Sequence, residues 1–164
     1  MTRTTLRRFL AVAALGATAA CFAPGCGGDW KAATVPATGR VTVNGKPASG
    51  LLVQLHPIGT QVDARNSRPW GKVQDDGTFS LSAYEDREGV PPGDYAVTLI
   101  WPVDSSVMGS PDRLGRRYDK ADRSKWKVSI KPGEDNALPP IDLTDVAVQE
   151  KPKISAFDKQ VLMP

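Results

Sequence analysis

The sequence predicts an all-β protein, an antiparallel β-sandwich of about seven strands preceded by a signal peptide. Three observations carry that prediction. Apolar residues recur with period two from Gly39 onward. The runs are short and closed by Gly, Pro, Asn and Asp turn dipeptides. No segment sustains helical periodicity in a chain of 164 residues that holds 14 Pro and 15 Gly. Hydrophobic residues at 40% and charged residues at 24% suit a folded chain rather than a disordered one, and the length suits a single domain.

The strands follow in order. Val41 and Val43 alternate with Thr42 and Asn44, and Asn44-Gly45 turns the chain. Val53 and Leu55 alternate with Gln54 and His56. Trp70 to Val73 supplies a further strand, and Asp75-Asp76-Gly77 a tight turn in which an Asp side chain can bond nearby backbone. Phe79, Leu81 and Ala83 read as one strand. Pro91-Pro92-Gly93 leads into Tyr95, Val97, Leu99 and Trp101, which point away from Ala96, Thr98 and Ile100. Ser110 to Arg117 allows one helical turn. Trp126, Val128 and Ile130 form the next strand, closed by Pro132-Gly133, and Ile141 to Leu143 the last. Phe79, Tyr95, Trp101 and Trp126 are expected core anchors, each stabilising the fold by roughly 1.5–3 kcal/mol through burial. Trp30 and Trp70 fall outside the best strand patterns and are the candidates for an exposed aromatic platform.

Three stretches of residues 39–143 carry a resemblance: GRVTVNGKPASGLLVQLHP, QDDGTFSLSAY and GVPPGDYAVTLIWP. In this order and spacing they resemble the carboxypeptidase regulatory-like domain, a transthyretin-like β-sandwich common in short bacterial lipoproteins. The later RRYDKADRSKWKVSIKPGEDN is similar to the closing part of the same lipoprotein family. The resemblance implies a transthyretin-like or immunoglobulin-like sandwich. Its hydrolase branch uses several histidines and a C-terminal Tyr-Arg-Gly-Ser, whereas this chain has one histidine, His56, and ends Val161-Leu162-Met163-Pro164.

The N-terminal residues 1–26 read as an export signal. Arg3, Arg7 and Arg8 precede the uncharged run Phe9 to Ala20, which is too short to span a bilayer. Arg7-Arg8-Phe9-Leu10 faintly resembles a twin-arginine signal. Both cysteines close this segment, and each resembles the lipobox cysteine of bacterial lipoproteins. Cys21 follows the small residues Thr18, Ala19 and Ala20. Cys26 follows Ala23-Pro24-Gly25, and cleavage there leaves no spare thiol in an oxidising compartment. Both stay lipidation candidates. The resemblance implies acyl chains such as palmitate, each buried methylene contributing about 0.8 kcal/mol of membrane affinity. The expected organisation is signal and lipobox 1–26, tether 27–38, sandwich 39–145 and a C-terminal tail 146–164, with Ile154 to Val161 able to pack on the sandwich.

Charge follows the same division. The chain carries 21 Lys plus Arg against 18 Asp plus Glu, a formal charge of +3, and the three arginines of the signal account for all of it. The remainder is neutral yet polarised. Residues 113–127 hold Arg113, Arg116, Arg117, Lys120, Arg123, Lys125 and Lys127 against Asp119 and Asp122, a local +5. These seven form a candidate patch for an anionic lipid head group, an acidic polysaccharide or a partner's acidic face. A solvated loop beside a strand is the default reading of the same residues. Nucleic acid is excluded as a partner by the neutral balance and the export signal.

No catalytic residue is assigned. His56 precedes Pro57 at a strand end with no G-x-S-x-G in the chain, so a Ser-His-Asp site is not expected. One histidine is too few for zinc. Asp75-Asp76-Gly77 lacks EF-hand spacing and is explained by turn chemistry. Glu85, Asp86, Arg87 and Glu88 read as a solvated acidic loop. The expected function is therefore a non-enzymatic, cofactor-free binding or structural module. It is held at the cell envelope, on the extracytoplasmic or periplasmic side, by a lipid anchor. Its partner is an envelope protein or glycan, and a carbohydrate-binding module is the alternative reading.

Overall fold

The computed structural model describes residues 30–85 and 87–150. The expectations on the signal segment, on Cys21 and Cys26, and on Ile154 to Val161 lie outside the described residues. The strands are β1 (Ala37–Val43), β2 (Lys46–Pro47), β3 (Leu52–Pro57), β4 (Trp70–Lys72), β5 (Thr78–Ser80), β6 (Ser82–Tyr84), β7 (Arg87–Glu88), β8 (Gly93–Ile100), β9 (Lys127–Ile130), β10 (Asn136–Ala137) and β11 (Ile141–Leu143). A single 3-10 turn covers Ala121–Arg123, downstream of the turn expected at Ser110 to Arg117.

These strands make two sheets. One is the run β7-β6-β4-β3-β8-β9, antiparallel throughout. The other is built around β1. The N-terminal half of β1 lies between β5 and β10, and its C-terminal half between β2 and β11. An all-β sandwich is thus what the alternation specified, but β10 and β11 run parallel to β1. Alternation says which side of a strand is buried and nothing about the direction of its neighbour. Here the chain reaches β10 from β9 in the opposite sheet, and a connection that changes sheets can deliver either orientation.

Local chemistry explains the joints. Asn44 and Gly45 both hold positive φ, 52° and 75°, which is the backbone a two-residue hairpin needs. The Asn44 side chain also pins the far end of the chain. Its Nδ2 donates to the Val146 carbonyl at 2.8 Å, and its Oδ1 accepts from the Val146 N–H at 3.1 Å. The expected single strand Phe79–Ala83 is broken. β5 pairs with β1 in one sheet and β6 pairs with β4 in the other, so the chain changes sheets at Leu81. Gly71 permits this corner: a Cβ there would sit 2.1 Å from the Ser80 carbonyl oxygen.

The core lies between the sheets. It joins Val41, Val43, Leu51, Val53, Leu55, Phe79, Leu81, Tyr95, Val97, Leu99, Ile130, Ile141 and Leu143. Tyr95 is fully buried, with its hydroxyl donating to the Pro91 carbonyl at 2.6 Å, so the stiff Pro91-Pro92-Gly93 entry is tied to its own strand. Trp101 lies just past the end of β8 and is buried. Trp126 is only half-buried, packed against the core edge and against Tyr118 at 5.5 Å between ring centres. Its place before the edge strand β9 explains why it does not reach the interior. Residues 34–38, assigned to the tether by sequence, already join the sheets through a Val35–Val90 bridge and the start of β1. Val146 and Val148 extend the packed part beyond 145.

Candidate functional site

Of the seven cations of residues 113–127, Arg113 and Arg116 are engaged in contacts within the fold. Arg113 stacks its guanidinium 4.0 Å above the Trp101 ring and donates from Nε to the Gln149 carbonyl at 3.0 Å. Arg116 pairs with Asp119 at 2.8 Å and holds a φ of 59°. The Asp119 carboxyl is lowered below its usual range by the hydrogen bond from Arg116 and by the surrounding positive charge of Arg116 and Lys120. Both arginines therefore serve the loop itself. Asp112 anchors that loop: its buried carboxylate accepts backbone N–H groups from Trp101 at 2.8 Å, Leu114 at 3.1 Å and Arg116 at 2.8 Å. Arg117, Lys120, Arg123, Lys125 and Lys127 remain exposed. The loop that carries them is tied to the edge of β8, with Tyr118 and Trp126 accepting the N–H groups of Leu99 and Val97, and the Ser124 hydroxyl donating to Val97. Their charge is thus carried along one margin of the six-stranded sheet, and Lys127 on β9 faces outward.

The outer face of that sheet holds the second feature. Trp70 is 54% exposed. The register places Ser82 on one side of it and Gln54 on the other, with Thr98 next across the sheet. Leu52, Gln54, Trp70 and Ile100 line a shallow depression of about 300 Å³. His56 follows on the same face, its Nε2 2.9 Å from the Thr98 hydroxyl. Burial, aided by the charge of Arg68, lowers its pKa below 6.5 and keeps it neutral at neutral pH. His56 is thus a structural partner of Thr98. Trp70 was legible in the sequence as an exposed ring. Gln54, Arg68 and Lys72 were not singled out, although the same period of two puts them on its face.

Other candidates resolve into structure. Asp76 accepts from the N–H and hydroxyl of Thr78 at 2.9 and 2.7 Å, the expected turn chemistry, and these bonds lower its carboxyl. Asp75 accepts from the Ser49 hydroxyl. Trp30 is only half-buried but is not a free platform. It meets Tyr84 edge-on at 5.4 Å and carries the Arg65 guanidinium 3.8 Å over its ring. Beneath them Asp63 accepts from the Tyr84 hydroxyl at 2.7 Å and from the N–H groups of Arg65 and Ser67 at 2.9 and 3.0 Å. Among the described residues no group of three His, Cys, Asp or Glu side chains is placed to hold a metal, and no helix is long and apolar enough to cross a membrane.

Against this geometry stands a likeness to a known protein. Over 48 residues the chain is 40% identical to a transthyretin-like protein 5 of Caenorhabditis elegans. The matched stretch is 29% of this chain, which spans about a third of that relative's length (34%). The stretch suggests a transthyretin-like domain. No family model matches the sequence, and no solved structure matches it.

Proposed function

We propose that the protein is a lipid-anchored, extracytoplasmic β-sandwich that works as a non-catalytic binding or structural module at the cell envelope. The observation that carries the non-catalytic part is how fully the polar groups of the interior are used. Asp63 and Asp112 each accept three hydrogen bonds from the protein, and His56 is bonded to Thr98. Among the described residues no buried side-chain polar atom lacks a partner. The anchor is supported by the basic and apolar N-terminal run and by the small residues before Cys21 and Cys26.

Metabolic labelling with an alkyne fatty acid tests the anchor. Either Cys21→Ser or Cys26→Ser is expected to abolish labelling and release the protein from the membrane fraction. Labelling that survives both changes refutes it. A second reading, a carbohydrate-binding module, is favoured by one observation, the exposed Trp70 ring beside Gln54 and Ser82.

A further inference from the structure

The outer face of the six-stranded sheet carries side chains that folding does not require. β4 is an interior strand, between β6 and β3, yet its Trp70 leaves 54% of its surface in water. An aromatic ring stabilises a fold by burial, so most of this one's capacity is unspent. The polar groups around it are set by register. Ser82 and Gln54 flank the ring across the strands. Arg68 and Lys72 lie two residues to either side of it along the chain and are exposed. Arg68 lies near enough to His56 for its charge to lower the imidazole's pKa, after burial.

Across the sheet, Gln54 pairs with Thr98, and His56 pairs with Ala96, which pairs with Lys127. Ala96 and Thr98 between them are buried. β4 and β9 are three strand spacings apart, about 14 Å. Lys127 closes the far side, and Lys125 before it holds its Nζ 5.8 Å from the centre of the Tyr118 ring. Asp94, an acid on this face, sits two register positions from Lys127, opposite Ser129, and lines a cavity with Lys127.

We propose that this face binds an acidic, uronate-bearing polysaccharide. The inference rests on the reading of the protein as a binding module and names its ligand. One sugar ring stacks its C–H face on Trp70, where the negative ring face favours it. Gln54 and Ser82 meet its hydroxyls. The carboxylates further along the chain lie against Arg68, Lys72, Lys125 and Lys127. The charge complementarity favours an acidic chain over a neutral one. Leu52 and Ile100 line the same shallow depression as Trp70 and extend the apolar surface on which a sugar ring can stack.

Affinity electrophoresis of the full chain in detergent tests this, with polygalacturonate, dextran or polyglutamate in the gel. Polygalacturonate is expected to retard the wild type, and dextran is not. Trp70→Ala is expected to weaken the retention about tenfold or more, with Trp70→Tyr restoring most of it. Lys125→Glu with Lys127→Glu is expected to weaken it similarly. Circular dichroism confirms that each variant folds. The inference is overturned if polygalacturonate causes no retardation, if dextran retards equally, or if Trp70→Ala binds as wild type does. Equal retention by polyglutamate or by phosphatidylglycerol vesicles, insensitive to Trp70, assigns the cations to anions in general and also overturns it. The double variant Cys21→Ser, Cys26→Ser is expected to be retarded like wild type, so loss of the anchor and loss of the glycan site are read separately.

Discussion

At the scale of single residues, the interior carboxylates act as fasteners. Asp63 is 9% exposed. Burial raises its pKa, but the hydrogen bonds from Ser67, Tyr84 and Arg65 together outweigh that and lower it below 3.8. A carboxyl lowered by folding contributes stability that is present above its unfolded pKa, about 3.9, and is lost as pH falls through the folded value. Tyr84→Phe removes a donor to Asp63 and an acceptor for the Ala32 N–H. It is expected to cost about 1–3 kcal/mol at neutral pH and to shrink the loss of stability below pH ~4. Urea midpoints measured from pH 2 to 7 check both, and an unchanged acid limb refutes the assignment. His56 provides a second check. Its folded pKa is lowered by burial and Arg68, so its NMR titration midpoint is expected below 6.5 and is expected to rise toward that value when Arg68→Ser removes the neighbouring charge. The histidine's structural role was legible in its isolation in the sequence. Asp63 was not, because its partner Tyr84 lies 21 positions away and nothing in the local pattern joins them.

At the scale of elements, the period of two located the strands of three or more residues, missed the two-residue strands β2, β7 and β10, the second of them in the stretch expected to be a solvated acidic loop, and could not say which sheet a strand joins. Phe79, Leu81 and Ala83 alternate without a break, yet β5 and β6 belong to opposite sheets. The decisive residue is on another strand. Gly71 leaves room for the Ser80 carbonyl, and Gly71→Ala is expected to destabilise by about 1–3 kcal/mol through the clash with backbone, measured as a fall in the urea midpoint. The candidate patch shows the same limit. Composition found seven cations, but stacking on Trp101 and pairing with Asp119 claim Arg113 and Arg116, and only geometry could subtract them. Lys127 has a further role as an element feature. β9 is the margin of its sheet, and an edge strand with a charge is a poor template for another chain. Lys127→Val is expected to increase concentration-dependent self-association in sedimentation experiments. Lys127→Glu keeps a charge on the edge and is expected to sediment as wild type does. That difference separates protection of the edge, which a charge of either sign supplies, from attraction of an anion, which both substitutions remove.

At the scale of the whole molecule, β1 is the strand on which the two chain ends of the packed part meet. It begins 37 positions into the sequence and pairs Val41 with Ile141 and Val43 with Leu143. Asn44 extends the closure to Val146. The six-stranded sheet, by contrast, is assembled from antiparallel neighbours joined over shorter spans, such as Val53 with Gly71 and Tyr95 with Val128. Bringing residues a hundred positions apart together costs more chain entropy than closing a short loop, and that cost is met before the contact contributes anything. The β1–β11 ladder is therefore expected to form late in folding, after the long antiparallel pairing of β3 with β8. Leu143 is 5% exposed and Leu55 is fully buried, so truncating either to alanine is expected to cost about 2–5 kcal/mol at equilibrium. The kinetics should tell them apart. Leu143→Ala is expected to act mainly by speeding unfolding, leaving the folding limb of the chevron near wild type. Leu55→Ala, on β3 opposite Val97, is expected to slow folding as well. If Leu143→Ala slows folding as much as Leu55→Ala does, closure of the parallel ladder is part of the nucleus, and the assembly order argued from sequence separation is wrong.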